Sequence, residues 1–262
     1  MAFSTHIPDI EHYNQEMAKS MIDKIYFMDK VDADVFIDFG CADGTLIKTL
    51  SNLFPQHTYI GYDISEQMID IAKSNVPNPR CHFASDWDNI IESLSTTHQN
   101  QKTCLILSSI IHEIYSYLNP EEIKKFWSRV WDTNFNYIVI RDMMVSKTVS
   151  RPSDPLAVAR IKQVFDSNKI SEWEAQWGSL YENWSLVHFL LTYRYTENWT
   201  REVNENYLPV NLETFFSNIP HKYYPMYIEH YTLPFIQSEV EKDFGIQLQD
   251  KTHLKFILKL SN

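Results

Sequence analysis

The residues best suited to chemistry are three acids, each closing a short apolar run. Asp38 closes VFID, Asp63 closes YIGYD and Asp86 closes HFASD. A carboxylate at the end of a buried strand can accept two hydrogen bonds from ribose hydroxyls, and Asp63 is placed for that. Just past the first acid lies Gly40-Cys41-Ala42-Asp43-Gly44. Small residues there permit a tight turn and a close approach of backbone to ligand. A helix starting beyond the turn would aim its N–H groups and positive dipole end at the same spot. A dinucleotide fingerprint would put glycine at 40, 42 and 45, whereas this chain has Ala42, Gly44 and Thr45.

A second group follows the run KTCLILSS, in Ser108-Ser109-Ile110-Ile111-His112-Glu113. His112 can act as a general base for a hydroxyl or similar acceptor. It can equally be a histidine that only hydrogen-bonds at a helix start, and Glu113 is a weaker candidate. HEIYS lacks the second histidine of HExxH, so no metal is expected. Later in the chain, Arg160 and Arg194 are candidates to clamp an anionic acceptor, with Tyr193 beside the second. A solvated surface is the ordinary fate of each arginine. Glu229 and His230 end a late apolar run and reach the same edge only if that strand runs in the right direction, which its residues leave open.

These groups need a scaffold that brings them together. Residues 9–30 contain no Pro or Gly and carry apolar residues at helical spacing, which predicts an amphipathic helix. Residues 34–40, 57–63, 80–86, 102–109 and 136–143 are short apolar runs that predict buried strands. Helical stretches at 43–54, 65–75, 87–94 and 119–132 separate them. Ser65 and Asn119 are the expected caps, with Pro120 at a first helical position. Such alternation predicts a parallel sheet with helices on both faces. Residues 146–208 break the pattern with helices rich in Trp and Tyr, expected to form a second small core and to cover the site. A helix at 211–218, a strand at 221–231, a helix at 234–244 and a strand at 252–260 then return to the sheet.

The spacing Asp38-x-Gly40-x-Ala42-x-Gly44, followed by Asp63 and Asp86 at later strand ends, resembles class I S-adenosylmethionine-dependent methyltransferases. Ala42 stands where their loop has its middle glycine. The resemblance implies a Rossmann-like α/β fold with a mostly parallel seven-stranded sheet, into which the helical segment after strand five, matched by nothing in that family, is inserted. The core would be 34–145 and 209–262, with 1–33 capping the cofactor and 146–208 as the insertion. It implies S-adenosylmethionine as cofactor, held by Asp38, Gly40, Cys41, Ala42, Gly44, Asp63, Ile64, Met68, Asp86 and Ser108. In that family the acid at Asp86 meets the adenine amino group and the next residue lies along the ring, which points to Trp87, itself equally suited to a core position. A helix before strand one often folds over the cofactor there, which makes Tyr13 a neighbour or a packing residue. The segment after strand four carries the acceptor side, and this chain lacks the Asn/Asp-Pro-Pro-aromatic pattern of enzymes that methylate base amino groups.

The net charge of −11 argues against a nucleic-acid or anionic-membrane partner. Cys41, Cys81 and Cys104 show no CxxC spacing, and the start has no signal-peptide pattern, so a cytoplasmic protein with reduced thiols is expected. The sequons at Asn183 and Asn198 then read as chance matches. A small-molecule methyl acceptor fits best. A tRNA wobble nucleoside, a nicotinamide-dependent oxidoreductase and a non-catalytic cofactor-binding module are the alternatives.

Overall fold

The computed structural model describes residues 21–261. Seven strands form one sheet: β1 (Val35–Phe39), β2 (Thr58–Tyr62), β3 (Cys81–Ala84), β4 (Thr103–Ser108), β5 (Tyr137–Met143), β6 (Tyr223–Tyr231) and β7 (His253–Leu260). Their order is β3-β2-β1-β4-β5-β7-β6. β1 to β5 pair in parallel, and β7 pairs antiparallel with both β5 and β6. This is the α/β sheet expected from the alternation of apolar runs, in the mostly parallel seven-stranded form that the resemblance implied. Strand order reverses between β1 and β4, and such a switch point opens a crevice at the carboxyl ends of the strands.

The central strands are apolar throughout because both faces are covered. Val35 and Ile37 of β1 join one apolar cluster and Phe36 joins the other, as the twofold alternation of a strand requires. Trp87, Ile90 and Leu94 from the helix Trp87–Thr96 cover the first face. Leu46, Ile47 and Leu50 from the helix Thr45–Leu53 cover the second. Fully burying each such aliphatic side chain contributes about 1.5–3 kcal/mol. The predicted caps are present: Ser65 accepts from the Met68 N–H, and Asn119 forms a capping box with Glu122 around Pro120.

Three expectations are refined. The predicted helix over 9–30 falls largely outside the described residues. Within them it ends at Lys24, and residues 25–30 form turns that send Phe27 into the core and the Tyr26 hydroxyl to the Ile140 carbonyl. A helix at Ile111–Tyr117 carries His112 and Glu113. The register Met143↔His253 and His253↔Tyr231 settles the direction of β6. Glu229, His230 and Tyr231 do end at the carboxyl edge.

Residues 146–208 are chiefly helical, as expected, with helices Pro155–Val164, Ser167–Trp177 and Asn183–Thr192. Their apolar faces, including the fully buried Trp173, pack on Ile236, Val240 and Phe244 of the helix Pro234–Phe244. Most of the aromatics therefore build a second core. Asn183 and Asn198, the two sequon residues, are buried. Among the described residues, no helix is long and apolar enough to cross a membrane.

Candidate active site

After β1 the chain turns through Gly40 (φ +81°), Ala42 (φ +46°) and Gly44 (φ +78°) into the helix Thr45–Leu53. Gly40 has no room for a side chain, since a Cβ there would lie 2.8 Å from Ile110 Cδ1. Ala42 sits in the left-handed region at a cost of about 1–2 kcal/mol. Its N–H donates to Asp63 Oδ2 at 2.9 Å, and the Ser65 N–H donates to Oδ1 at 2.9 Å. Asp63 thus pins the glycine-bearing loop, and each oxygen keeps a second lone pair. Burial raises its carboxyl pKa, opposed by those two bonds.

Gly40, Cys41, Ala42, Asp38 and Ser108 line one crevice together with Lys24. Asp38 and Lys24 are both buried. Burial pushes Asp38 up to about 7, offset in part by Lys24. Burial also brings Lys24 down to about 8, helped by Arg141 and opposed by Asp38. The Ser108 hydroxyl is buried without a hydrogen-bond partner, and orphaned polar atoms of this kind call for a ligand or water. A carboxylate, an ammonium and an idle hydroxyl beside a tight loop suit the zwitterionic end of an amino-acid-bearing nucleoside. Cys41 is buried, and burial pushes its thiol far above the ordinary range, so it packs rather than reacts.

The remaining cofactor candidates are placed unevenly. Ile64, beside Asp63, is 53% exposed, an open apolar surface next to the proposed ribose site. Met68 is half-buried one turn on. Asp86 is exposed and spends Oδ1 on capping its helix at the Asp88 and Asn89 N–H groups. Trp87 requires a correction: it is 8% exposed, packed edge-on against Phe39 and Tyr62, and belongs to the sheet core. A large ring starting a helix over an apolar sheet stabilises more by burial than by waiting for a ligand. Tyr13 lies outside the described residues.

A second cavity adjoins the first. It is lined by Ser109, His112, Glu113, Arg141, Met143, Arg194, Arg201, Glu205 and His253, among others. His112 is buried between two carboxylates, with Nδ1 2.7 Å from Asp142 and Nε2 3.3 Å from Glu205. Burial alone lowers its pKa, but Asp142 and then Glu205 outweigh this and hold it well above the usual range. Both ring nitrogens are engaged by carboxylates, which counts against His112 as the general base. Glu113 is pushed up to about 7, chiefly by burial. Asp142 also accepts the N–H groups of Ile111 at 2.6 Å and Met143 at 2.7 Å, so it starts the Ile111–Tyr117 helix and fixes His112 in one contact set.

His112, Glu113 and Glu205 bring donor atoms within 4.8 Å of one another, a set that could hold a metal although none was expected. Here the Arg201 guanidinium lies 3.0 Å from Glu205 and 3.7 Å from Glu113 and supplies positive charge itself.

The acceptor-side candidates divide. Arg194 lines the second cavity. Arg160 does not: it lines a separate pocket and donates to the Gly245 carbonyl. Tyr193 is buried, with its hydroxyl donating to Asp243. Glu229 pairs with Lys255 at 3.3 Å, and His230 is 3.0 Å from the Met144 carbonyl. Both reach the right edge but do not line the cavity. Lys24, Asp23, Arg141, Asp142, Arg201 and Glu205 were not anticipated. The charged pair Arg141-Asp142 closing an otherwise apolar strand was the visible signal. Nothing local marks Glu205 or Arg201, which arrive on a loop and a four-residue helix of the insertion.

Comparison with known proteins fits this geometry. Residues 37–133 match a family model described as a methyltransferase domain. No curated protein sequence matches the chain. Among solved structures, the methyltransferase domain of bacterial CtHen1-C aligns at 12% identity and TM-score 0.50, covering 95% of this chain and 99% of that one. A SAM-dependent methyltransferase from Anabaena variabilis aligns at 13% identity and TM-score 0.50, covering 96% of each. At these identities the structures share a fold. The matched segment resembles a methyltransferase domain, and the sheet order is that of a Rossmann-like α/β fold.

Proposed function

We propose that the protein transfers a methyl group from S-adenosylmethionine to a small-molecule acceptor, with residues 146–208 closing the acceptor side. One observation carries this reading: Ser108 lines the crevice of the glycine-bearing loop and Ser109 lines the neighbouring cavity. A donor in the first and an acceptor in the second would meet across a single peptide, which is the alignment a direct displacement needs.

The bound cofactor would supply an electrophilic methyl on a sulfonium. The chain's own residues hold, align and enclose. Asp63 would accept the ribose hydroxyls while keeping the loop fixed. Asp38 would receive an ammonium and Lys24 a carboxylate. Arg201, Glu205 and Tyr207 from the insertion wall the acceptor cavity. Glu113, with a carboxyl near 7, is the group suited to take a proton from an acceptor at neutral pH. The acidic net charge supports a metabolite over a nucleic acid.

Calorimetry with S-adenosylhomocysteine and with NAD tests the cofactor, and transfer of labelled methyl into a metabolite extract tests turnover. Binding of S-adenosylhomocysteine, together with labelled small molecules, is expected. Binding of NAD alone would overturn the assignment.

A further inference from the structure

Two arginines in the acceptor cavity hold donors that nothing uses. Arg141 is 5% exposed. Its Nε donates to Asp23 at 2.9 Å and its Nη1 to the Ser109 hydroxyl at 3.0 Å, but Nη2 is buried without a partner. Arg194 lies with its guanidinium 4.7 Å from the Phe235 ring and 5.4 Å from the Tyr195 ring. Its Nε is likewise buried and unpartnered, and no carboxylate pairs with it among the described residues. A buried guanidinium donor without an acceptor is strongly disfavoured unless something else supplies one.

The acids around this cavity are already matched. Glu205 meets His112 and Arg201, Glu202 meets Arg201 and the Tyr207 hydroxyl, and Asp23 meets Arg141, Lys255 and the Tyr231 hydroxyl. Asp142 is bound to His112, and Glu113 lies toward Arg201. What remains unmatched is positive: the charge of Arg194 and the idle Nη2 of Arg141. Around them the lining is apolar, with Met143, Leu191, Leu233, Phe235 and Ile236. Planar guanidinium forks against an apolar wall suit an oxyanion carried on an apolar body.

We propose that Arg141 and Arg194 bind a carboxylate or phosphate group of the methyl acceptor, which makes the acceptor class an apolar or aromatic acid. This rests on the methyl-transfer reading and names its substrate class. Ser109 ties the anion site to the reacting edge, because the same guanidinium that would grip the acid holds the Ser109 hydroxyl.

The test uses the full chain saturated with S-adenosylhomocysteine and titrated with benzoate, phenyl phosphate or neutral benzamide. One of the two anions is expected to bind at least about tenfold more tightly than benzamide, and which one does so separates carboxylate from phosphate recognition. Arg194→Gln is expected to weaken that anion by about ten- to a hundredfold, the worth of a charge-assisted bond, with the affinity for S-adenosylhomocysteine unchanged within about twofold. Arg141→Gln should do the same and also lower turnover; Arg194→Gln carries the test should that buried substitution unfold the protein. Benzamide binding as well as the anions, no anion binding, or undiminished binding by Arg194→Gln each overturns the proposal. Failure to bind S-adenosylhomocysteine would instead strike the underlying methyltransferase reading.

Discussion

Replacing Asp142 with Asn is the sharpest test of how the acceptor side is built. The carboxylate is fully buried and takes hydrogen bonds from the Ile111 N–H (2.6 Å), the His112 N–H (3.4 Å), the Met143 N–H (2.7 Å) and His112 Nδ1 (2.7 Å). Asparagine keeps the shape but loses the charge, and it turns one acceptor into a donor facing N–H groups. Breaking a buried ion pair from one side costs about 3–5 kcal/mol. For a chain of this size each kcal/mol lowers Tm by about 2–4 °C, so a fall of roughly 6–20 °C is expected in calorimetry.

The pH dependence separates an ion pair from simple packing. His112 is raised from 6.5 in the folded protein, so its contribution is fully present below about pH 6.5 and is lost as pH rises through the raised value. Asp142 is lowered from 3.8, so its contribution is present above about pH 4 and is lost as pH falls through the lowered value. The gap between wild type and Asp142→Asn should therefore be widest from about pH 4 to 6.5 and narrow on either side. A variant within about 1 kcal/mol of wild type, or a gap that stays constant from pH 4 to pH 9, would refute the reasoning.

Three further outcomes follow from the site. Asp63→Ala should weaken S-adenosylhomocysteine by about ten- to a hundredfold, since it removes both the proposed ribose acceptor and the anchor of the Ala42 N–H, with calorimetry as the readout. The affinity of wild type for S-adenosylhomocysteine should decline as pH rises through about 8, where Lys24 loses its proton, and Lys24→Met should bind weakly with no such decline. Glu113→Gln should lower methyl transfer by about a hundredfold or more and abolish the inflection near pH 7 that its raised carboxyl predicts, while leaving the binding of S-adenosylhomocysteine unchanged.

Much of the scaffold was legible because it is encoded locally. A parallel strand buried on both faces must be a short apolar run, and Ser65, Asn119 and Pro120 mark helix starts with their own side chains. The loop at Gly40 was legible for the same reason, since tight φ-positive turns select small residues. Trp87 misled because an aromatic after a strand-end acid serves a ring or a core equally well, and only the placement of Phe39 and Tyr62 decides. Arg160 and Arg194 both lie in the segment 146–208, yet one bonds a backbone carbonyl in a remote pocket and the other lines the second cavity. Glu205 reaches His112 across 93 residues of chain, a contact no local pattern announces. The cofactor side is thus written in contiguous motifs. The second cavity, the proposed acceptor side, is assembled from the helix Ile111–Tyr117, β5, β7, the helix Pro234–Phe244 and residues 146–208, and fold alone does not specify it.

Ser109 is where the two sides are joined, and its geometry makes a separable prediction. Its φ of +57° is unusual for a residue with a Cβ and costs about 1–2 kcal/mol. The strain is held by the Ser109 N–H on the Arg141 carbonyl at 2.7 Å and by the Arg141 guanidinium on the Ser109 hydroxyl at 3.0 Å. Ser109→Gly relieves the first cost and leaves the buried Arg141 Nη1 without its acceptor, which costs about 1–3 kcal/mol. The two changes nearly cancel, so the variant should fold with a Tm close to wild type and bind S-adenosylhomocysteine normally. Its methyl transfer should nonetheless fall, because Arg141 is no longer fixed from the cofactor side and the acceptor it grips is less well aligned. A tenfold or greater loss of kcat at unchanged Tm would show that the strained turn exists to position Arg141. Wild-type kcat with a higher Tm would mean that the hydroxyl contributes nothing to transfer, and the link between acid recognition and methyl delivery would have to lie elsewhere.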